Sequence, residues 1–244
     1  MDEQIDRLVQ KTWAKFQALA PTQRLMIAIA GIPGSGKTSL GRILSERINA
    51  IYTKANPNPM LPTLYPIAES VSMDGYHLYR HELAAMPDPE YAAARRGAAF
   101  TFNAERFHAL VKELREPLTS ESKTVYAPSF DHAIKDPVEN DVPIPPTTRV
   151  LFFEGNYLAL NKHPWTECAK LMDELWFVEV DFEVARHRLI KRHLEAGLAP
   201  TWELADKRAR ENDLVNGQEI VDNMLKVDEV IKSTEDSSWG PPAA

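Results

Sequence analysis

The sequence has little cysteine and no long hydrophobic run. Its single cysteine, Cys168, excludes an internal disulfide and any zinc site built from several cysteines. The longest apolar run, from Leu25 to Ala30, is far too short to span a bilayer. Acidic residues at positions 2, 3 and 6 fit neither a signal peptide nor a transit peptide. We therefore expect a cytoplasmic protein that does not enter a membrane.

Positive charge is also scarce. Lysine and arginine together number 28 against 35 aspartates and glutamates, which gives a net charge of −7. This balance argues against a general nucleic-acid-binding protein. The apolar share of 44% and the charged share of 26% are ordinary for a globular enzyme, and 244 residues can bury a sizeable core. The sequence does not define the oligomeric state, and a homodimer stays open.

Apolar runs of strand length alternate with segments of helical periodicity. Helices are predicted over 3–19, 37–49, 104–115, 183–196 and 201–225. Strands are predicted over 24–30, 68–74, 123–126, 149–153, 174–180 and 227–232. Continuous apolar runs suit parallel strands that are buried on both faces. The alternation predicts an α/β fold with a mostly parallel sheet, interrupted by loops in the proline-rich stretches 55–66 and 127–148.

Residues 31–38 read G-I-P-G-S-G-K-T between a predicted strand and a predicted helix. The glycines let the backbone curl so that several N–H groups point at phosphate oxygens, and the helix that follows adds its positive N-terminal end. We expect Lys37 to reach the β- and γ-phosphates of ATP and the Thr38 hydroxyl to hold Mg²⁺. The predicted nucleotide-binding residues of this P-loop are Gly31, Ile32, Pro33, Gly34, Ser35, Gly36, Lys37, Thr38 and Ser39.

Two carboxylates stand at the ends of predicted strands. Asp74 ends the run 68–74, and Glu154 comes directly after the run 149–153. Ligands of open α/β sheets bind outside the carboxyl ends of the strands, so both side chains should face the crevice that holds the P-loop. A carboxylate there can accept the proton of an attacking hydroxyl or hold Mg²⁺. For either residue taken singly, the alternative is a cap or turn residue.

Two arginines stand four residues apart on the predicted helix 183–196. Arg188 and Arg192 therefore share one face of that helix. Phosphoryl transfer needs cations over the migrating γ-phosphate, which these side chains can supply. The alternative is a solvated helix face paired with Glu183 and Glu195.

Aromatic, histidine and arginine residues concentrate in the segments 73–80, 95–103 and 126–132. A pocket for a small polar acceptor needs flat apolar surface together with hydrogen-bonding partners. The alternative for the aromatic residues is packing. The predicted acceptor-binding residues are Tyr76, His77, Tyr126, Phe130 and His132.

The sequence resembles the phosphoribulokinase and uridine kinase family, which also includes the bacterial-type pantothenate kinases. The resemblance runs from about residue 20 to residue 232 and is strongest with the uridine kinase-like fungal and bacterial branch. The segments that carry it are the P-loop at 31–38, M-D-G-Y-H at 73–77, Y-A-P-S-F-D-H at 126–132, F-F-E-G-N-Y-L at 152–158 and the helix from Asp181 to His193. It implies a parallel sheet flanked by helices, with an acceptor-site excursion and a helical lid. It also implies an ATP-dependent kinase that acts on a small-molecule hydroxyl.

The resemblance implies roles for individual residues. Asp74 matches the family's catalytic base, and Glu154 matches its strand-end acidic residue near Mg²⁺. Arg188 and Arg192 match lid arginines, and His132 matches a histidine that contacts the acceptor. Two segments depart from the uridine kinase pattern, because G-Y-H replaces an S-F-Y-type sequence and G-N-Y replaces G-I-L. Uridine, pantothenate, a sugar and a sugar phosphate therefore all stay open as the acceptor.

The predicted kinase domain spans 21–232, after an N-terminal helix over 1–20 and before a disordered tail over 233–244. The rival class is a P-loop switch protein of the GTPase type, which reads guanine through N-K-x-D. Asn161 and Lys162 match the start of that pattern, but Pro164 stands where the pattern requires an aspartate. A kinase-like protein without activity gains no support, because the catalytic candidates are all present.

Overall fold

Five parallel strands form the central sheet of the computed structural model, which describes residues 2–57, 66–131 and 133–234. The strands are β1 (Leu25–Gly31), β2 (Ala68–Ser72), β5 (Val150–Gly155), β6 (Glu174–Glu179) and β7 (Glu229–Lys232), in the spatial order β2-β5-β1-β6-β7. A separate antiparallel hairpin is made by β3 (Val125–Asp131) and β4 (Asp136–Ile144). The parallel sheet and flanking helices confirm the predicted fold class.

Helices cover both faces of the sheet. They are α1 (Asp2–Ala18), α2 (Lys37–Ala55), α3 (Arg80–Ala84), α4 (Pro89–Ala94), α5 (Ala104–Arg115), α6 (Trp165–Lys170), α7 (Phe182–Glu195), α8 (Trp202–Arg208) and α9 (Leu214–Asp222). Successive strand residues point to opposite faces, so Phe152 of β5 joins one core cluster and Phe153 joins the other. The sheet is therefore buried on both sides, as its continuous apolar runs predict.

The N-terminal helix packs against the body of the fold. Its residues Ile5, Leu8 and Val9 are buried in the same cluster as Phe152. Its polar face is held by ion pairs, among them Arg7 with Glu229 at 2.7 Å. In the described part of the chain, α1 is a packing element.

The stretch 127–148, predicted to be a loop, is instead mostly the β3–β4 hairpin. Pro137 and Pro143 lie within β4, where they pair with Phe130 and Tyr126. Both strands of a two-stranded ribbon are edge strands. An edge strand tolerates proline, although proline has no backbone N–H to donate. The prediction of a loop over 127–148 from its prolines was therefore wrong.

Other boundaries differ from those predicted. The helix predicted over 201–225 is interrupted by a π-helical turn at Ala209–Asp213, and the helix predicted to end at 49 continues to Ala55. Of the loop 55–66, residues 58–65 lie outside the described residues. The same holds for 235–244 of the predicted tail, whereas Ser233 and Thr234 are described and make hydrogen bonds.

Candidate active site

The P-loop follows β1 and turns into the N-terminus of α2. Gly34 and Gly36 adopt φ values of 80° and 94°, in the left-handed region that favours glycine. Gly31 is required for a different reason: a Cβ there would lie 2.6 Å from Ser35 Oγ. The Ser35 N–H donates to the Ile32 carbonyl at 3.1 Å and closes the turn. The resulting loop places backbone N–H groups at a helix N-terminus, which is a site for phosphate.

Thr38 and Glu154 meet beside this loop. The Thr38 hydroxyl donates to the Glu154 carboxylate at 3.0 Å. Glu154 stands at the end of β5, next to Ser72 at the end of β2, and only 3% of its surface is exposed. Burial raises the pKa of this carboxyl, and the nearby charge of Asp74 raises it further, while the Lys37 ammonium opposes both.

Lys37 shares this electrostatic environment. Burial lowers the pKa of its ammonium, and the carboxylates of Glu154 and Asp74 act in the opposite direction. The structure thus brings together three residues that the sequence predicts for one site.

The oxygens of Thr38 and Glu154 fit a magnesium ion. Mg²⁺ typically takes one or two protein carboxylates and completes its shell with waters and nucleotide phosphates. Among the residues that the structure describes, no cluster of three or more histidine, cysteine, aspartate or glutamate side chains could form a protein-only metal cage. Thr38 and Glu154 are therefore the residues that would hold a magnesium ion whose other ligands are waters and nucleotide phosphates.

Asp74 lies in a 3₁₀ turn, Met73–Tyr76, two residues beyond the end of β2 and not at the strand end itself. The Ser72 hydroxyl accepts a hydrogen bond from the Asp74 N–H at 3.2 Å, which caps the turn. A Cβ at Gly75 would lie 2.1 Å from the Pro128 carbonyl oxygen. The glycine therefore lets the hairpin pack directly on the turn and fixes the position of Asp74.

The two arginines of α7 differ in their contacts. Arg192 is exposed, and its positive charge lowers the pKa of Lys37 in the same direction as burial does. Arg188 is half-buried and donates to the Gly34 carbonyl at 3.2 Å, to the Ser233 hydroxyl at 2.9 Å and to the Thr234 carbonyl at 3.2 Å. Arg188 thus links the P-loop to the chain after β7, a contact that the sequence does not indicate.

The predicted acceptor residues lie in different environments. Tyr76 is 3% exposed and packs its ring on Phe107 with 5.1 Å between centroids, so it belongs to the core. The His77 ring lies between Phe102 and Phe130, and its Nδ1 is 2.8 Å from the Asp74 carbonyl oxygen. Tyr126 is exposed on the hairpin. His132 lies outside the described residues.

Sequence reasoning missed residues of the π-helical turn and its surroundings. Asp213 accepts a hydrogen bond from His193 Nε2 at 2.8 Å, and its charge also acts on Lys37. The Tyr157 hydroxyl donates to the Gly97 carbonyl at 2.6 Å. Tyr157 lies in the quoted E-G-N-Y segment, but no pattern in 201–225 marks Asp213.

A parallel sheet with a P-loop after its first strand defines the class of P-loop nucleotide-binding proteins. Residues 26–196 match the Phosphoribulokinase / Uridine kinase family, and the chain belongs to that family. It is therefore an ATP-dependent P-loop kinase, a phosphotransferase that acts on a small molecule.

Two relatives agree with this assignment, and one solved structure shares the fold. The ATP-dependent kinase-like protein notR′ of Aspergillus versicolor is 57% identical over 159 residues, which are 65% of this chain and 92% of the relative. A Schizosaccharomyces pombe protein provisionally named uridine kinase C227.14 is 40% identical over 88% of this chain and 86% of the relative. The crystal structure of YFH7 from Saccharomyces cerevisiae has a TM-score of 0.81 at 23% identity, covering 95% of this chain and 99% of that one. At that identity, the likeness to YFH7 shows the fold alone.

Within the described ranges, no helix combines the length and the apolar character that crossing a bilayer requires.

Proposed function

We propose that this protein transfers the γ-phosphoryl group of ATP to a hydroxyl of a small molecule of the nucleoside, vitamin or sugar type. The observation that carries the proposal is the convergence of Asp74, Glu154 and Lys37 at one end of the sheet. Glu154 is paired in register with Ser72, whose hydroxyl accepts from the Asp74 N–H, and Thr38, which follows Lys37, donates to Glu154. A proton acceptor, a metal-binding carboxylate and a phosphate-binding cation are the groups that such a transfer needs.

Each group of residues has its own role in this proposed reaction. P-loop N–H groups and Lys37 hold the phosphates of ATP. The Asp74 carboxylate takes the proton of the acceptor hydroxyl while the hydroxyl oxygen of the acceptor forms a bond to the γ-phosphorus. The bond from that phosphorus to the β–γ bridging oxygen breaks, and ADP leaves. Lys37 and the guanidinium of Arg192 stabilise the charge that spreads over the transferred group.

Mg²⁺ is part of the proposal, with Thr38 and Glu154 as the residues that would hold it. When bound, the ion neutralises charge on the phosphate oxygens. The high pKa that burial gives Glu154 is consistent with a carboxylate whose natural counter-charge is a cation. Thr38 orients that carboxylate through its 3.0 Å hydrogen bond.

The proposed acceptor surface is the turn around Asp74 with His77 and the face of Phe130. His77 is fixed by ring contacts on two sides and by the Asp74 carbonyl. The flat side chains near the proton acceptor suit a ring-bearing or sugar-like acceptor. The kinase unit is proposed to span 21–232 in a cytoplasmic protein, with a homodimer as an open arrangement.

The test is a screen for acceptor-dependent ADP release. Purified protein is incubated with ATP, Mg²⁺ and a panel of nucleosides, vitamins and sugars, with Lys37→Ala as the control. We expect one acceptor class to raise ADP release well above the rate without acceptor, and the control to abolish it because a point charge on the phosphates is lost. Equal hydrolysis with and without every acceptor, together with tighter binding of GTP than of ATP, would favour the switch-protein class instead.

A further inference from the structure

Arg95 is a cation whose position is fixed but whose charge has no ionic partner among the described residues. Its Nε donates to Asn212 Oδ1 at 3.0 Å, and its Nη2 donates to Asn216 Oδ1 at 2.6 Å. Both partners are neutral amides, so they orient the guanidinium and leave its charge intact. The neighbouring Arg96 differs, because it pairs with Asp136 at 3.1 Å and lies over the Phe130 ring.

The two asparagines are costly to bury. Asn212 is 4% exposed and Asn216 is 1% exposed, and a buried amide must find hydrogen-bond partners to avoid a large desolvation penalty. They lie in and just after the π-helical turn Ala209–Asp213. Single π turns inside α-helices are frequent at functional sites. The interruption of this helix therefore coincides with the contact that holds Arg95.

Arg95 is joined to the proposed acceptor surface through its neighbour Arg96. The Arg96 guanidinium lies 5.5 Å from the centroid of the Phe130 ring, which is 4.8 Å from that of His77. The Nδ1 atom of His77 is in turn 2.8 Å from the Asp74 carbonyl oxygen.

The Tyr157 hydroxyl donates to the carbonyl of Gly97, two residues beyond Arg95. Burial raises the pKa of this hydroxyl, the charge of Asp74 raises it further, and the charge of Arg95 lowers it. The contacts of Arg96 and of the Gly97 carbonyl thus place the turn that carries Arg95 beside the proposed acceptor surface. The opposite effects of Asp74 and Arg95 on the pKa of Tyr157 agree with this placement.

We propose that Arg95 binds an anionic group of the acceptor, a phosphate monoester or a carboxylate, while Asp74 receives the proton of its hydroxyl. The inference rests on the proposed function, and it narrows the acceptor to negatively charged small molecules. A guanidinium presents donors in a planar fork that matches the oxygens of both groups. Its amide partners take up Nε and Nη2, and no described residue occupies Nη1. Arg95 is a specificity residue in this arrangement and takes no part in bond making.

The experiment compares matched pairs of neutral and anionic probes. The pairs are ribose with ribose 5-phosphate, glycerol with glycerate, and uridine with uridine 5′-monophosphate. Wild type, Arg95→Met and Arg95→Lys are assayed for ADP release, and calorimetry measures ATP affinity. Arg47→Met is the charge-matched control, because Arg47 lies on α2 and pairs with Asp6 of α1.

We expect wild type to favour the anionic member of at least one pair. Arg95→Met should raise the KM for that acceptor about 30-fold or more, as truncation of a paired charge typically does. ATP affinity should stay within about twofold, and Arg95→Lys should restore part of the loss because it returns the charge without the fork. The Arg47→Met variant should behave as wild type.

Other outcomes overturn the inference. A preference for neutral acceptors that Arg95→Met does not change would remove Arg95 from acceptor binding. A loss of ATP affinity with an unchanged acceptor KM would place Arg95 at the donor instead. If no probe supports ADP release, the proposed function fails separately. Calorimetry of the anionic probes on the ATP-free protein then decides: binding lost in Arg95→Met supports the inference, and no binding to wild type contradicts it.

Discussion

The hydroxyl of Thr38, in the first turn of α2, donates a 3.0 Å hydrogen bond to the carboxylate of Glu154 at the end of β5. The two residues are 116 positions apart in the chain, and the parallel pairing of β1 with β5 brings them together. This contact joins the phosphate-binding loop to the carboxylate that we assign to Mg²⁺. The concentration of Mg²⁺ that the reaction needs should therefore change when either Thr38 or Glu154 is substituted.

Glu154→Gln should weaken the use of Mg²⁺ and leave the fold intact. Glutamine keeps the shape of the side chain and removes the charge, so the apparent Mg²⁺ affinity should fall about 10- to 100-fold. Because burial raises the pKa of Glu154, losing this buried charge should not lower the melting temperature. A magnesium titration of ADP release is the measurement, with ATP affinity in the absence of metal as its control. An unchanged titration curve would contradict the metal role of Glu154.

The arginines of α7 should separate in their effects. Arg192→Ala should lower kcat by about 100-fold with a smaller change in the KM for ATP, since an exposed cation near Lys37 acts on charge that develops in the transition state. Arg188→Ala also removes three hydrogen bonds that tie the P-loop to residues 233–234, so it should lower both kcat and the melting temperature. Lys191→Ala, an exposed residue of the same helix, is the matched control. Wild-type kcat in both arginine variants would mean that this face of α7 serves only as surface.

The attachment of α1 should depend on pH. Hydrogen bonding to Arg7 lowers the pKa of Glu229 to about 2, below its ordinary value of 4.5. A carboxylate with a depressed folded-state pKa stabilises the fold above its unfolded pKa and loses that effect as pH falls through the folded pKa. The stability difference between wild type and Glu229→Gln, about 1 kcal/mol at pH 7, should shrink below pH 4.5 and be mostly lost when the pH reaches the folded pKa of about 2. Urea unfolding at several pH values measures it. A difference that is constant from pH 7 to pH 3 would contradict this role.

Local sequence pattern predicted the strands of the sheet and the P-loop because both depend on short-range chemistry. A buried parallel strand must be apolar throughout, and Gly34 and Gly36 occupy backbone angles that other residues rarely adopt. The predicted grouping of Asp74, Glu154 and Lys37 follows from parallel topology, which places strand ends at one edge.

Other features depend on long-range contacts that leave no periodic signal. The π turn coincides with contacts from Asn212 and Asn216 to Arg95, more than a hundred residues away. The burial of Tyr76 depends on α5, against which its ring packs. Proline in the hairpin was misleading because the pairing partner of each strand, and not its composition, decides whether a missing N–H is tolerated.

Asp74→Asn should separate ATP binding from phosphoryl transfer. Asparagine keeps the shape of the side chain and cannot take the acceptor's proton, and a positioned base typically contributes 10²- to 10⁴-fold to the rate. We expect kcat to fall by about that factor while calorimetry finds ATP affinity nearly unchanged, because the P-loop and Lys37 hold the nucleotide.

The rival role for Asp74 is structural, since this residue lies in a capped 3₁₀ turn. The cap, however, is made by the Asp74 N–H and the Ser72 hydroxyl, neither of which the substitution alters. Melting temperature, ATP affinity and kcat should be measured on one preparation. A stable, ATP-binding variant with wild-type kcat would exclude Asp74 as the proton acceptor, whereas lost stability with full activity per folded molecule would leave it only a structural role.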